Sequence, residues 1–136
     1  MKKKTIIVSG GASGIGASIV NFLASKKFNV IILDLKKLKK KNSENIKPVF
    51  CDITNLKSTQ KKINKLNSTQ NIEIVGLINC AGVTLTKNSL NYNKKNWNKT
   101  LLTNLTAPFF LTQAVVKLMI KKKIRGSIIN FTSISS

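Results

Sequence analysis

The sequence is poor in several residue types that build common sites. It has no histidine, only two cysteines, and four acidic residues against 24 lysines and arginines. Cys51 and Cys80 stand far apart, each in an apolar run, so they form neither a CxxC redox pair nor a pattern of metal ligands. We therefore expect no metal site, and two reduced cysteines in a cytoplasmic protein.

Long hydrophobic runs are also lacking. No stretch approaches the roughly 20 apolar residues that a membrane-spanning helix needs. The basic start, Lys2–Lys4, is typical of a signal peptide, but the apolar run after it is short and glycines interrupt it. These features predict a cytoplasmic protein with no membrane partner.

The scarcity of acidic residues leaves a net charge of +20. A charge of this size points first to nucleic acid, because lysines neutralise phosphates. The lysines, however, lie in short groups at what look like the ends of elements, namely Lys2–Lys4, Lys36–Lys41 and Lys121–Lys123. This distribution favours a solvated basic surface, and we expect no nucleic-acid partner.

Two kinds of apolar segment alternate along the chain. Short runs rich in β-branched residues predict strands that are buried on both faces; they are Thr5–Ser9, Val30–Asp34, Pro48–Asp52, Ile74–Asn79 and Ser127–Thr132. Longer segments predict helices at Ile15–Lys26, Asn55–Asn67 and about Lys94–Lys122. In the first predicted helix, apolar residues recur at helical spacing, namely Ile15, Ile19, Phe22 and Leu23. Pro108 should bend or restart the last predicted helix. This alternation predicts one α/β domain with an open parallel sheet and helices on both faces.

The stretch VSGGASGIG joins the first predicted strand to the first predicted helix, and it carries four glycines. At such a junction backbone N–H groups and the positive end of a helix can hold a phosphate, while glycines allow a pyrophosphate to approach closely. Asp34 ends the second strand about 20 residues later, where a carboxylate can accept hydrogen bonds from an adenosine ribose. The alternatives are a plain tight turn for the loop and a helix cap for Asp34.

The spacing Gly10-x-x-x-Gly14-Ile15-Gly16 resembles the TGxxxGIG loop of the short-chain dehydrogenase/reductase family, with Ser9 in place of the threonine. Cys51-Asp52-Ile53 is similar to the acidic-aliphatic pair that contacts the adenine ring in this family. Asn79-Cys80-Ala81-Gly82 is similar to its NNAG motif, with Cys80 replacing the second asparagine.

Two later features continue the resemblance in the family's order. Trp97 followed by TNLTAPF resembles the long helix that carries the family's structural and catalytic asparagine, here Asn104. The segment GSIINFTSISS resembles the strand whose serine helps to hold the substrate carbonyl, here Ser133. The resemblance thus covers nearly the whole chain.

The resemblance implies a Rossmann-like, doubly wound parallel sheet with strand order 3-2-1-4-5. It implies NAD(P)-dependent hydride transfer between the cofactor and an alcohol or carbonyl substrate. It assigns cofactor contacts to Ser9, Gly10, Ser13, Gly14, Ile15, Gly16, Asp34, Asp52, Ile53, Asn79, Ala81 and Gly82, and catalytic roles to Asn104 and Ser133. The Asp34 carboxylate favours NAD, because it would repel the 2′-phosphate of NADP, although Lys36 and Lys37 could attract that phosphate.

The family's catalytic tyrosine and lysine form a YxxxK pair that would lie beyond Ser136. The only tyrosine, Tyr92, lies upstream in another element and cannot replace the pair. We therefore expect a single cofactor-binding domain, truncated after the fifth strand and inactive or nearly so by itself, with a homo-oligomer or a complementing C-terminal fragment as partner. The alternative is a non-catalytic nucleotide-binding or interaction protein. Asn79, Asn104 and Ser133 also have purely structural interpretations.

Overall fold

Five parallel strands form the centre of the molecule. The computed structural model describes residues 2–37, 44–68, 71–85 and 88–133, so part of the Lys36–Lys41 group lies outside the described residues. The strands are β1 (Lys3–Ser9), β2 (Asn29–Asp34), β3 (Ile46–Phe50), β4 (Ile72–Asn79) and β5 (Ser127–Asn130). Their order is β3-β2-β1-β4-β5, and every neighbouring pair is parallel. The predicted doubly wound, Rossmann-like sheet is confirmed.

Alternate residues of the central strands face opposite sides of the sheet, as the two-residue period of a strand requires. One side buries Ile7, Ile31, Leu33 and Leu77, and the other buries Val8, Val30, Ile32 and Ile78. Because helices cover both sides here, β2 carries four consecutive buried residues, Val30–Leu33. This double burial explains why the runs read as continuously apolar rather than alternating.

Strand β3 begins and ends two residues earlier than the predicted Pro48–Asp52. Pro48 is accommodated because β3 lies at the edge of the sheet and pairs only with β2. Asp52 consequently lies beyond the strand, in the connection to the next helix. This places the residue at the carboxyl end of the sheet.

The helices are α1 (Gly14–Ser25), α2 (Leu56–Asn67), α3 (Lys94–Leu101) and α4 (Ala107–Lys121), and a short 3₁₀ turn, Ser89–Asn91, precedes α3. Of the residues at helical spacing in α1, Ile19 and Leu23 pack against the core, whereas Ile15 and Phe22 are 63% and 61% exposed. Gly16 and Val20 are buried instead. The bare backbone at Gly16 lets the helix approach the loop before it, and this approach sets which face turns toward the sheet.

The helix continues from α3 to α4 through one π turn, Leu102–Thr106. The N–H of Ala107 donates to the carbonyl of Leu102, five residues earlier. Pro108 has no N–H, so it cannot complete the usual bond to the carbonyl of Asn104, and the chain absorbs the break in a wider turn. The interruption predicted at Pro108 is therefore present, and it takes this form.

The resulting helical segment, Lys94–Lys121, has 28 residues and by length and composition alone is apolar enough to cross a membrane. Its α4 half buries Leu111, Val115 and Leu118 in the core cluster on one side of the sheet. This burial is the packing of a core helix in an α/β domain.

Candidate functional site

A cleft of about 850 Å³ opens at the carboxyl ends of the strands. Its walls come from the β1–α1 loop, the residues after β2, β3 and β4, and the junction of α3 with the π turn. Open parallel sheets bind ligands at this edge, where the strand order reverses between β1 and β4. A smaller groove of about 470 Å³ runs along β4 and β5, and the sequence motifs contribute no predicted site residue to it.

The β1–α1 loop is packed so closely that two glycines are required, one in the loop and one in the first turn of α1. Gly10 has a φ of +70°, and a Cβ there would lie 2.7 Å from the backbone of Ala81. A Cβ on Gly16 would lie 2.1 Å from the carbonyl oxygen of Gly10. The loop is therefore held between the start of α1 and the residues after β4.

Gly14, by contrast, faces open space. Its φ is +53°, and apart from its chain neighbours and the backbone of its own helix, no atom of the described residues lies within 4 Å of the position where its Cβ would be. Ser13 stands at the N-cap of α1 without a side-chain capping bond, and the first turn of the helix has no acidic residue. The positive end of α1 and the Ser13 hydroxyl are thus available to an anion in the cleft, and the exposed side chain of Ile15 forms the adjoining wall.

Asp34 connects the end of β2 to the glycine loop. Its Oδ2 accepts a hydrogen bond from the N–H of Ala12 at 3.0 Å, and its Oδ1 accepts one from the N–H of Lys36 at 2.9 Å. The residues after Asp34 are not helical as far as Lys37, so the described chain gives no support to a helix-cap role. Each carboxylate oxygen can accept more than one hydrogen bond, and Asp34 lines the cleft.

Asp52 and Ile53 line the cleft beyond β3. The Asp52 Oδ1 accepts hydrogen bonds from the N–H of Thr54 at 2.9 Å and from its hydroxyl at 2.6 Å. These two bonds fix the carboxylate, and Oδ2 has no partner in the part of the chain that the structure describes. Ile53 is 6% exposed and supplies an apolar surface beside this carboxylate.

The two acids in the cleft are half of the chain's acidic residues. A site that held phosphate alone would gain nothing from carboxylates, since they repel it. Carboxylate oxygens are suited to accept hydrogen bonds from ribose hydroxyls or from an amino group of a base. The chemistry of the cleft therefore fits a nucleotide. Its anionic group would lie at the α1 terminus, and its hydrogen-bond donors would face the acceptors Asp34 and Asp52.

Two residues that the family resemblance assigned to the cofactor have other contacts. The buried Ser9 Oγ accepts the N–H groups of Cys80 and Ala81, each at 3.3 Å. The Asn79 side chain is 4% exposed, and its Nδ2 donates to Thr112 Oγ1 at 2.9 Å and to Asn130 Oδ1 at 2.8 Å. Ser9 thus positions the residues after β4, and Asn79 ties β4 to β5 and α4; neither lines the cleft, whereas Ala81 and Gly82 do.

The Asn79 amide has one polar atom without a partner. Its Oδ1 is buried, and no described group donates to it. A half-turn of the amide would bring this oxygen to Asn130 Oδ1, which is also an acceptor, so the two hydrogen bonds of Nδ2 favour the present orientation. In this orientation the amide is a structural tie between elements.

Asn104, in the π turn, makes two hydrogen bonds to the loop at the cleft. The Val83 N–H donates to Asn104 Oδ1 at 2.9 Å, and Asn104 Nδ2 donates to the Val83 carbonyl at 2.9 Å. Ser133 follows β5 and is exposed. Within the described residues neither of these two side chains lines the cleft. The Tyr92 hydroxyl lies 3.0 Å from Thr100 Oγ1, and its ring packs edge-on to Trp97.

Several cleft residues were not identified from the sequence, namely Thr54, Cys80, Val83, Lys99, Leu102 and Thr103. Thr54 had a usable signal, because a threonine two residues after an aspartate favours a local turn of this type. Lys99 and Leu102 carried no signal, since their place depends on how α3 and the π turn pack against the rest of the domain. Burial raises the pKa of the Cys80 thiol, so it stays protonated at neutral pH.

The sequence profile of the short chain dehydrogenase family matches residues 4–136, and the chain therefore belongs to this family. A 3-oxoacyl-[acyl-carrier-protein] reductase of Rickettsia prowazekii (strain Madrid E) is 32% identical over 133 residues, which are 96% of this chain and 54% of that protein. Two solved structures with a bound cofactor share the fold. A short chain dehydrogenase from Leptospira borgpetersenii with NAD+ has a TM-score of 0.91 at 29% identity, covering 98% of this chain and 53% of its own. ElxO with NADP has a TM-score of 0.87 at 26% identity, covering 97% and 56%.

These alignments also show how much of a relative the chain represents. It spans about half the length of the proteins it matches. Membership in this oxidoreductase family is thus established for residues 4–136, and it agrees with the glycine loop, the acidic residues of the cleft and the strand order.

Proposed function

We propose that residues 1–136 bind NAD(H) in the 850 Å³ cleft and form the cofactor-binding part of an oxidoreductase. The reaction is hydride transfer between the nicotinamide and an alcohol or carbonyl substrate. The observation that carries the proposal is the glycine loop, locked at Gly10 and Gly16 against neighbouring backbone, open at Gly14, and joined by Ala12 to Asp34. The NAD+ and the NADP bound by the two similar structures support the binding of a nicotinamide dinucleotide.

Different residues of the cleft bind different parts of the cofactor. The N-terminus of α1 with Ser13 holds the pyrophosphate, because partial positive charge and free donors meet there. Asp34 accepts from the adenosine ribose, and Asp52 and Ile53 contact the adenine. Ala81 and Gly82, at the other end of the cleft, lie beside the nicotinamide half, which supplies the hydride acceptor or donor when bound.

We assign NAD rather than NADP as the cofactor. A 2′-phosphate would meet the Asp34 carboxylate, which is fixed by its bonds to Ala12 and Lys36 and cannot easily turn away. Among the described residues, the two lysines that follow Asp34 do not offset this charge. Lys36 contacts Asp34 through its backbone, and the Lys37 ammonium lies over the Phe50 ring, 5.9 Å from its centre. Cation–π attraction to Phe50 holds this charge toward β3.

Turnover needs a proton donor or acceptor at the substrate oxygen, and residues 1–136 offer none that is suited to it. Ser133 can donate a hydrogen bond to a carbonyl, but its hydroxyl does not ionise near neutral pH. The Asn104 amide is engaged by the Val83 backbone, so its contribution is to hold the cleft loop. General acid–base catalysis contributes about 10²- to 10⁴-fold, and we expect this chain to bind cofactor without measurable turnover. We also propose a cytoplasmic location, where Cys51 and Cys80 stay as free thiols.

Isothermal titration calorimetry of the purified chain with NAD+ and NADP+ tests the proposal. We expect saturable binding of NAD+ and weaker binding of NADP+. No response to either cofactor at millimolar concentration would contradict it. A spectrophotometric redox assay with short-chain alcohols then checks that binding occurs without hydride transfer.

A further inference from the structure

Lys99 is a charged residue of the cleft to which neither the motifs nor the proposed function assigns a role. It lies in the last turn of α3, and Leu102 and Thr103 of the π turn continue the same wall. Among the described residues that line the cleft, Lys99 carries the only basic side chain. Lys94 and Lys95, on the same helix, lie outside the cleft. The structure thus selects one lysine of α3 for this site.

The cleft also contains Asp52, Ile53 and Thr54, from the connection after β3. Thr54 occupies one oxygen of Asp52 with two hydrogen bonds, which leaves Oδ2 as the acceptor that is free for a ligand. Ile53 and Leu102 provide apolar surface for the faces of a flat ring. This part of the site therefore combines an apolar slot, an anionic acceptor and a cationic donor.

We infer that Lys99 recognises the Watson–Crick edge of the adenine that the proposed function already places against Asp52, an inference that rests on the proposed binding of NAD(H). Asp52 accepts from the N6 amino group, and the Lys99 ammonium donates to N1. Guanine and hypoxanthine carry a carbonyl oxygen at position 6 and a proton on N1. The donor and the acceptor at position 6 and N1 are therefore exchanged relative to adenine. These bases cannot pair in the same way with Asp52 and Lys99. Lys99 is a specificity-determining residue of the adenine slot.

Two other roles for Lys99 make different predictions. A general positive charge would attract the pyrophosphate of every dinucleotide equally, and one charge among a net +20 would add little to that attraction. A solvated lysine without a ligand contact would change nothing when replaced. Only a hydrogen bond to the base edge makes the effect of Lys99 depend on the base.

The experiment compares NAD+ with nicotinamide hypoxanthine dinucleotide, which differs only at position 6 and N1 of the purine. Calorimetric titrations use the wild-type chain, Lys99→Met and the matched control Lys95→Met. We expect the wild type to prefer NAD+ by about tenfold, a preference within the range of one charged hydrogen bond. Lys99→Met should lower NAD+ affinity by about tenfold and abolish the preference, Lys95→Met should keep both, and Lys99→Arg should restore most of the preference.

The outcomes separate this inference from the function on which it rests. If the wild-type chain binds neither dinucleotide, the proposed function itself fails. If it binds NAD+ and Lys99→Met weakens both ligands equally, or neither, the adenine-edge role of Lys99 is overturned while cofactor binding stands. Because Lys99 is exposed, the variant is expected to fold, and thermal melts with quenching of Trp97 fluorescence by NADH give a second readout of binding.

Discussion

The carboxylate of Asp34 accepts a hydrogen bond from the backbone N–H of Ala12 at 3.0 Å, across 22 positions of sequence. This bond joins the end of β2 to the middle of the glycine loop. The residue proposed to select NAD over NADP therefore also holds the loop proposed to seat the pyrophosphate. Charge and loop position are distinct effects, and different substitutions of Asp34 separate them.

Asp34→Ala removes both effects, and we expect NAD+ affinity to fall by about tenfold or more, since a charge-assisted hydrogen bond and a loop contact are lost together. Relative affinity for NADP+ should rise, because the repulsion of its 2′-phosphate is gone. Asp34→Asn is the control that keeps an acceptor oxygen for the backbone and removes the charge. Calorimetric titration of both variants with both cofactors measures the effect. Equal weakening of NAD+ and NADP+ in Asp34→Ala would show that the carboxylate does not select the cofactor.

Gly16→Ala should be strongly destabilising. The added Cβ would lie 2.1 Å from the carbonyl oxygen of Gly10, and backbone on both sides can relieve the contact only by moving α1 away from the loop. We expect a loss of about 3 kcal/mol in the free energy of unfolding, at the upper end for overpacking. Gly82→Ala is the matched control, because its Cβ would lie 3.5 Å from Asn104 Oδ1, an ordinary contact. Urea unfolding followed by circular dichroism measures both, and similar midpoints would refute the close packing.

The strands and the place of the cleft follow from patterns that the sequence shows locally, whereas the strand order was implied by the family resemblance. A β-branched run such as Val30–Leu33 is buried on both faces wherever it lies in a parallel sheet, so its period and composition suffice to identify it. The glycine loop follows the first of these strands, and a loop in this place must reach the carboxyl edge of the sheet. Asp34 reaches the same edge for the same reason.

Contacts that depend on how whole elements pack could not be predicted in this way. Ile15 and Phe22 share the helical spacing of Ile19 and Leu23 but are exposed, because the close approach at Gly16 sets which face of α1 turns toward the sheet. The bonds of Asn79 to Thr112 and Asn130 join residues 33 and 51 positions away, and no local pattern specifies them. Lys99 lines the cleft only because the end of α3 lies beside it.

Asn104→Ala should loosen the cleft loop. It removes the paired hydrogen bonds to the N–H and carbonyl of Val83, and these groups lie at an exposed site where water partly replaces the lost partner. We expect the free energy of unfolding to fall by about 1 kcal/mol, and NAD+ affinity to fall as the loop loses its position. Asn98→Ala, on the exposed side of α3, is the matched control for loss of an asparagine. Urea unfolding and NAD+ titration report the two effects, and a loss equal to that of Asn98→Ala would contradict the role.

The Cys80 thiol gives a pH-dependent prediction. Burial raises its pKa, so the folded chain holds this proton more tightly than the unfolded chain does. The resulting stabilisation is fully present below the pKa of the unfolded thiol and is lost as pH rises through the pKa of the folded one. The free energy of unfolding should therefore fall between about pH 8 and 10, the range in which thiols titrate, and it should fall less steeply in Cys80→Ala.

Alkylation tests the same residue and its place in the cleft. The rate of reaction of Cys80 with iodoacetamide follows its thiolate fraction, so it should be slower at pH 7.5 than for the urea-unfolded chain. Because Cys80 lines the cleft, NAD+ should slow the reaction further, whereas NADP+ at the same concentration should protect less. Mass spectrometry of the peptide that contains Cys80 measures the rate. If calorimetry shows that the chain binds NAD+ but NAD+ does not protect Cys80, the cofactor lies away from Cys80. This result would contradict the proposed orientation.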